Sequence, residues 1–351
     1  MRSPTAGRQG PAEGGEGRVA LRLDGAALTV PAGYSLLQAA DAAGAYVPRL
    51  CAHPALGTRG RCGICAVEVD GAGVVRACEV GAEEGMEVWT ASGAVRRSRV
   101  EALHRVLAHH PHACLVCSLA DDCSRTRCAR GLPEAERCCW KRGTCELAGV
   151  AAFVGIGPEA PMYVPRDLPV GPEGSRGRDP ARCIECLRCE DACRGIAGVE
   201  AAGGLGEAGV PPGEEECALC RARALVCPTG ARSAGREERC RRWLAEVRER
   251  LALPRVPEAP RGVLPLSAVA VARLPEAGGV YQLWDGAGGV RKIRGVSRLR
   301  QALEEELAGA RAAFFTYEEA ALYTRREAEL LLQHLAEHGR MPGSEDPQDV
   351  F

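Results

Sequence analysis

Four cysteines lie in the stretch CAHPALGTRGRCGICAVEVDGAGVVRAC, residues 51–78, at positions Cys51, Cys62, Cys65 and Cys78. The first three share one glycine-rich loop, and the fourth follows an alternation of apolar and polar residues that is typical of strands. Such a set is typical of a [2Fe–2S] cluster held by four thiolates. Zinc also binds four cysteines, and buried free thiols are a third interpretation. The strand pattern around the loop favours the iron–sulfur cluster.

The residues on either side of this loop predict a small α+β domain, residues 18–95. Two alternating segments meet at Asp24-Gly25, a dipeptide that favours a tight hairpin turn. Ser35 is a good N-cap for a short helix. Residues 1–17 are rich in Gly, Pro and polar side chains and are expected to be disordered. Further strands are expected at residues 65–69 and 85–88.

Several motifs carry a resemblance to a known family: Cys51-Ala-His-Pro54, Gly60-Arg-Cys-Gly-Ile-Cys65-Ala-Val-Glu-Val69, Ala77-Cys78 and Glu84-Gly-Met86. This segment resembles the start of the large iron–sulfur subunit of bacterial complex I. It is equally similar to the diaphorase iron–sulfur subunits of NAD-reducing hydrogenases and formate dehydrogenases. The resemblance covers about residues 18–232. It implies a β-grasp [2Fe–2S] ferredoxin domain, followed by a His/Cys-ligated [4Fe–4S] domain and a two-cluster ferredoxin-like domain.

The next group of ligands falls in residues 96–157. His110-Pro111-His-Ala-Cys114-Leu-Val-Cys117 fits the family's motif His-Pro-x-x-Cys-x2-Cys-x5-Cys, and Cys123 has the spacing of its third cysteine. The resemblance implies a [4Fe–4S] cluster with one histidine ligand. An imidazole in place of a thiolate removes negative charge, so we expect a raised reduction potential.

The same region departs from the family pattern because it holds four more cysteines. They are Cys128, Cys138, Cys139 and Cys145. The family's sequence after its third cysteine, Cys-Glu-Leu, is found at Cys145-Glu-Leu147. Either an insertion has moved the third ligand from Cys123 to Cys145, or the region binds two clusters. We favour one histidine-ligated cluster and keep Cys128, Cys138 and Cys139 as candidate ligands of an extra cluster.

A third group of cysteines lies in residues 175–235. It comprises the dense run Cys183, Cys186, Cys189 and Cys193 and the second run Cys217, Cys220 and Cys227. In two-cluster ferredoxins the fourth cysteine of each run ligates the other cluster. One [4Fe–4S] cluster is therefore expected on Cys183, Cys186, Cys189 and Cys227. The other retains Cys193, Cys217 and Cys220 but has Arg223 at the fourth position, so it could be [3Fe–4S], borrow Cys240, or be absent.

The chain contains no cysteine after Cys240. A charged helix and a Pro-rich linker are expected at 236–262, and a ββαβα domain at 263–351. Gly279-Val-Tyr281, Lys292-Ile-Arg294 and Arg326-Glu-Ala-Glu329 give this domain a resemblance to GIY-YIG nucleases. The family's second tyrosine, glycine and catalytic arginine are replaced by Lys292, Arg294 and Ala302. We therefore expect a degenerate, non-catalytic interaction domain, and prefer to interpret Tyr281 and Glu329 as packing and surface residues.

Composition and charge narrow the function. The chain has 351 residues and a formal net charge of -1, which gives no general reason to expect nucleic acid as a partner. The sequence shows no signal peptide and no apolar run long enough for a membrane span, so a cytoplasmic location without membrane insertion is expected. It also lacks a Gly-rich dinucleotide fingerprint after a strand, so neither NAD nor flavin is expected on this chain.

The cysteine groups predict an electron-transfer protein with one [2Fe–2S] cluster and two to four [4Fe–4S] clusters, one of which could be [3Fe–4S]. The family resemblance implies that it is a non-catalytic subunit of a NAD(P)-linked oxidoreductase. The family resemblance implies three partners: a NAD(P)H-oxidising flavoprotein, a thioredoxin-like [2Fe–2S] subunit and a terminal oxidoreductase subunit such as a hydrogenase or formate dehydrogenase. A redox-sensing or scaffold protein is the first alternative. A DNA-acting protein, based on the C-terminal domain, is the second.

Overall fold

The computed structural model describes residues 17–116, 141, 144–157, 159–164, 179, 181–195, 224–232, 249 and 255–343. Several predicted ligands lie outside these ranges, namely Cys117, Cys123, Cys128, Cys138, Cys139, Cys217 and Cys220, together with Arg223 and Cys240. Cys193 lies in a described helix, but its side chain is not described. Within the described ranges, no helix combines the length and the apolar composition that a membrane span requires.

Five strands and one helix form the first domain. They are β1 (Arg18–Leu23), β2 (Ala26–Pro31), α1 (Leu36–Ala42), β3 (Ala66–Val69), β4 (Gly73–Arg76) and β5 (Glu87–Trp89). The strand order is β2-β1-β5-β3-β4, with β1 and β5 parallel and the other neighbours antiparallel. Leu21, Leu37 and Val67 share a buried core to which Cys65 and Cys78 also belong. The predicted α+β domain is thus a mixed sheet with two of the four cysteines in its core.

Local sequence explains most of these elements. Asp24 and Gly25 both have positive φ, 49° and 82°, which is the geometry of a two-residue hairpin turn. Ser35 and Gln38 form the reciprocal capping box that begins α1. The strand predicted from residue 85 begins two residues later, because Gly85 has a φ of 76° and lies in a turn. Sequence reasoning missed β4, whose residues are largely exposed and show little apolar alternation.

Four helices belong to the cysteine-rich regions: α2 (Gly93–Leu107), α3 (Ala113–Val116), α4 (Glu146–Val154) and α5 (Arg188–Gly195). Ser92 caps α2 by accepting a hydrogen bond from the Val95 amide at 3.2 Å. Leu103 and Leu107 on α2 and Leu147 on α4 are buried in one apolar cluster. Cys62, Cys145, Leu115 and Ile184 pack against the edge of this cluster, so one core supports segments from all three cysteine groups.

The C-terminal domain has four strands and three helices. They are β6 (Leu264–Pro265), α6 (Ala268–Val271), β7 (Gly279–Trp284), β8 (Val290–Val296), α7 (Leu299–Gly309), β9 (Phe314–Glu319) and α8 (Tyr323–His338). The sheet order is β6-β9-β7-β8. The predicted sequence of two strands, a helix, a strand and a helix is confirmed, and β6 and α6 precede it. Gly339 ends α8 in a left-handed conformation with φ 68°, as expected of a glycine C-cap.

This domain packs directly on the first domain and on α2. The Arg96 guanidinium donates hydrogen bonds to the carbonyls of Leu307, Ala310 and Ala312. The Tyr46 amide donates to the Gly286 carbonyl at 2.9 Å. A Cβ atom added at Gly93, on α2, would lie 2.2 Å from the Ala308 carbonyl oxygen, so the two backbones meet there. The C-terminal domain is therefore held closely against the cysteine-bearing part of the protein.

Candidate iron–sulfur sites

The first site consists of the four cysteines of residues 51–78. Cys51, Cys65 and Cys78 are buried and Cys62 is half-buried. Hydrogen bonding between these thiols lowers the pKa of Cys51, through Cys62 first and then Cys78. It also lowers the pKa of Cys65, through Cys78. The corresponding donors, Cys62 and Cys78, have raised pKa values. The sulfur atoms are therefore neighbours, in the order Cys62, Cys51, Cys78, Cys65.

The loop before β3 gives this site its shape. Gly57, Gly60 and Gly63 all have positive φ, between 61° and 76°, so the backbone curves repeatedly where a side chain would be strained. The Cys62 amide lies 3.5 Å from the Cys51 sulfur and donates a hydrogen bond to it. Buried Arg49 anchors the start of the loop through a two-fold hydrogen-bonded pair with Asp41. Amide donors close to sulfur are the means by which a protein tunes such a centre.

The donor set fits a [2Fe–2S] cluster. A [2Fe–2S] cluster has two irons, each of which takes two protein ligands, so it needs four cysteines in all. The four thiols form one contiguous set of this size, because Cys51 interacts with Cys62 and with Cys78, and Cys65 interacts with Cys78.

The second site is represented by His110 and Cys114. His110 follows the end of α2 and is 5% exposed, and neither of its ring nitrogens has a hydrogen-bond partner among the described residues. Burial lowers the pKa of His110 to about 4, so the imidazole is neutral at neutral pH. A buried, neutral imidazole without a partner fits a metal-ligand role, which requires an unprotonated nitrogen. Cys114 lies on α3, and its chain neighbour Leu115 packs against the shared apolar cluster.

Cys145 occupies the N-cap position of α4. Its thiol donates a hydrogen bond to the Pro228 carbonyl at 3.7 Å. The amides of Glu146 and Leu147 donate to the same carbonyl, at 3.1 and 3.4 Å. The start of α4 is therefore attached to the residue that follows Cys227. The alternative ligand Cys123 lies outside the described residues, so the choice between Cys123 and Cys145 stays a prediction.

The third site brings together the cysteines that the two-run pattern assigned to one cluster. Burial first, and then the charges of Cys227 and Cys189, raise the pKa of Cys186 to about 12, against the lowering effect of Arg188. Burial and the charges of Cys227 and Cys183 likewise raise the pKa of Cys189. These four thiols are thus close enough to interact. Cysteine binds a metal as the thiolate, so metal binding at these thiols would release protons.

The backbone of this loop is strained. Glu185 and Leu187 have positive φ, 54° and 61°, which is uncommon for residues with side chains. The Glu185 amide donates a hydrogen bond to the Cys183 sulfur at 3.4 Å. Such strain concentrates at functional sites, where surrounding contacts hold it in place. A loop that turns back so tightly that its amide contacts a cysteine sulfur fits the wrapping of a compact cluster.

Arg188 joins the three groups. Its side chain is 1% exposed, and it lies between Cys186 and Cys189 in the sequence. Nη1 donates to the Glu146 carboxylate at 2.6 Å and to the Val226 carbonyl at 3.4 Å. Nη2 donates to the Ala52 carbonyl at 2.6 Å. Glu146 directly follows Cys145, Val226 precedes Cys227 and Ala52 follows Cys51. One guanidinium therefore contacts the chain neighbours of a cysteine from each group.

An ion pair also connects the first and third sites. Arg59, on the first cysteine loop, forms a two-fold hydrogen-bonded pair with Asp191 on α5. Sequence reasoning identified neither Arg59 nor Arg188 as a functional residue. A single arginine inside a cysteine motif carries no signal that distinguishes a buried link from a solvated side chain.

In the C-terminal domain, Tyr281 lies fully buried in the core of the sheet. Its hydroxyl donates to Glu306 at 2.7 Å, and Lys292 binds the same carboxylate at 2.6 Å. Glu329 forms exposed ion pairs with Arg325 and Arg326. These contacts agree with the interpretation of Tyr281 as a packing residue and Glu329 as a surface residue.

The fold and the first site define a protein with a ferredoxin-like, iron–sulfur domain, and the comparison with protein families agrees. Residues 16–93 match the family described as a 2Fe-2S iron-sulfur cluster binding domain. The chain therefore carries a [2Fe–2S]-binding domain. Residues 261–338 match a family described as a domain of unknown function, DUF7508. The GIY-YIG resemblance of this region stays a prediction.

Curated relatives match 60% of the chain. A protein of Staphylococcus haemolyticus, provisionally named formate dehydrogenase, is 29% identical over 220 residues, which cover 60% of this chain and 20% of that protein. A protein of Staphylococcus aureus USA300 with the same provisional name is 28% identical over 220 residues, with the same coverage. The chain thus spans about a fifth of the length of the curated relatives it matches.

A solved structure is also similar to this chain. It is a NAD+-reducing [NiFe]-hydrogenase in the H2-reduced state, which aligns with 28% sequence identity and a TM-score of 0.39. The alignment covers 54% of this chain and 71% of the hydrogenase chain.

Proposed function

We propose that this chain is an electron-transfer subunit that relays single electrons between a NAD(P)H-oxidising flavoprotein and a second redox module, such as a hydrogenase or a formate dehydrogenase. The observation that carries the proposal is the convergence of three cysteine groups on Arg188. Its guanidinium contacts the neighbours of Cys51, Cys145 and Cys227 at 2.6 to 3.4 Å. Three cysteine groups held so close together suit electron transfer between clusters better than three independent structural sites.

Each group of residues has a proposed role in this relay. Cys51, Cys62, Cys65 and Cys78 would hold the [2Fe–2S] cluster. Cys183, Cys186, Cys189 and Cys227 would hold a [4Fe–4S] cluster. His110, Cys114 and Cys117, with Cys123 or Cys145, would hold a second one. Clusters of this kind accept and donate one electron at a time.

The surrounding protein supports this use of the ligands. The shared apolar core contains Leu103, Leu107 and Leu147 and excludes water from one side of the cysteine groups. A low-dielectric environment strengthens the effect of every charge on a reduction potential. His110 contributes a neutral ligand at the second site, where burial lowers its pKa to about 4. It therefore contributes less negative charge than a thiolate would.

Iron content and spectroscopy test the proposed cofactors. With a third [4Fe–4S] cluster on Cys193, Cys217 and Cys220 besides the clusters above, we expect anaerobically purified protein to contain about 14 iron atoms per chain. About 18 would mean that the cysteine-rich insert binds its own cluster, and about 10 that the site with Arg223 is empty. The measurement combines iron, acid-labile sulfide and zinc analysis with EPR of the reduced sample. Zinc in place of iron, even after anaerobic reconstitution, would contradict the proposal.

A further inference from the structure

A second buried arginine, Arg99, lies beside the first site. It is on the inward face of α2, and its side chain is 2% exposed. Nη2 donates hydrogen bonds to the carbonyls of Ala66, at 2.6 Å, and Thr90, at 2.7 Å. Ala66 directly follows the ligand Cys65. The guanidinium carbon lies 5.7 Å from the centre of the Phe153 ring, so the group is enclosed by protein.

The charge of Arg99 has no ordinary counterpart. None of the ion pairs among the described residues includes Arg99, and its Nε has no hydrogen-bond partner there. Burial lowers its pKa to about 10, and Tyr46 and Cys65 are the first two charge partners that oppose this shift. Burial raises the pKa of Tyr46 to about 12, so Tyr46 stays neutral. Asp24 also opposes the shift, but burial raises the pKa of Asp24 and its carboxylate accepts hydrogen bonds from the Thr90 amide and hydroxyl. An unpaired buried charge is costly, so the thiolate side of the first site is the other source of compensation.

We propose that Arg99 is the buried counter-charge of the [2Fe–2S] site and sets its reduction potential. This inference rests on the proposed occupancy of that site by Cys51, Cys62, Cys65 and Cys78. Reduction adds one electron to the site, with no bond formed or broken. A fixed positive charge nearby stabilises the more negative, reduced state and so raises the reduction potential. Arg99 acts on the thiolates through its charge, and hydrogen bonds to the carbonyls of Ala66 and Thr90 hold its guanidinium in place.

A purely structural role must be separated from this one, because Arg99 also ties the carbonyl of Ala66 in β3 to that of Thr90 after β5. Two substitutions make the separation. Arg99→Gln keeps an N–H donor and removes the charge, whereas Arg99→Lys keeps the charge and removes the planar fork. Arg97→Gln is the matched control, since Arg97 is exposed on the same helix.

The experiment is an EPR-monitored redox titration of the [2Fe–2S] signal in the full-length chain. We expect Arg99→Gln to make the reduced form about tenfold less favoured, a shift of about 59 mV to lower potential for one electron. Arg99→Lys and Arg97→Gln are expected to stay near the parent value. A potential in Arg99→Gln that matches Arg97→Gln, or equal shifts in Arg99→Gln and Arg99→Lys, would overturn the proposal.

If Arg99→Gln takes up no iron at the first site, iron uptake by the other Arg99 variants tests the proposal instead. Arg99→Met then repeats the loss of charge on an apolar stem. Uptake by Arg99→Lys but by neither neutral variant supports the counter-charge. Failure of all three variants means that Arg99 is structural and overturns the proposal. A parent protein without any [2Fe–2S] signal would instead refute the assignment of the site itself.

Discussion

Replacing Cys65 by serine is expected to abolish the [2Fe–2S] EPR signal and to lower the iron content by about two atoms per chain. Cys65 is 1% exposed, immediately precedes β3 and belongs to the core of the first domain. Its sulfur interacts with that of Cys78, so the substitution leaves Cys78 without its neighbouring thiolate. A serine hydroxyl is a poor replacement, because thiolate is the ligand that iron–sulfur clusters select.

The matched control for this variant is Cys114→Ser, which makes the same substitution at the second site. It should leave the [2Fe–2S] signal unchanged and reduce the [4Fe–4S] signal. Iron and sulfide analysis with EPR of the reduced protein measures both variants. A full [2Fe–2S] signal in Cys65→Ser would show that Cys65 is not a ligand.

Replacing Arg188 by methionine is expected to lower the free energy of unfolding by about 3 kcal/mol. The substitution removes the hydrogen bonds to Ala52 and Val226 and leaves the Glu146 carboxylate without its cation. Removing one partner of a buried pair costs about 3–5 kcal/mol. The lower end applies because the Glu146 side chain is 22% exposed and keeps some contact with water. Denaturant unfolding under anaerobic conditions measures the effect.

Arg59→Met is the matched control, since it removes another arginine that links the first and third sites. The side chains of Arg59 and Asp191 are 28% and 20% exposed, so we expect a loss of less than about 1 kcal/mol. The double variant Arg188→Met/Glu146→Gln should recover part of the stability, because no uncompensated carboxylate remains. A loss in Arg188→Met no larger than that in Arg59→Met would contradict the role of Arg188 as the main link.

The first domain was largely predictable from local sequence. The spacing of Cys51, Cys62, Cys65 and Cys78 indicated one site, and the structure brings these thiols together. The Asp24-Gly25 turn and the Ser35 cap are also confirmed, because both depend on residues a few positions apart. In the C-terminal domain, helices and strands follow the predicted order for the same reason.

Contacts between distant segments could not be predicted in this way. Arg188 and Ala52 are 136 positions apart, and Arg59 and Asp191 are 132 apart. Such pairs leave no periodic signal in the sequence. Arg99 was hidden for a related reason: the run Arg96-Arg97-Ser98-Arg99 reads as a solvated helix surface, whereas Arg99 is buried. Hydrophobic periodicity identifies a buried face only when that face is apolar.

Reduction by NADH tests the electron-relay function most directly. The measurement mixes the iron-loaded chain with its NAD(P)H-oxidising flavoprotein subunit under anaerobic conditions and follows the cluster EPR signals after NADH is added. NADH without the flavoprotein is the negative control, and dithionite defines full reduction. We expect NADH and the flavoprotein together to reduce every cluster whose potential lies above that of the NADH couple. Clusters that stay oxidised at equilibrium, despite suitable potentials, would contradict the proposed relay.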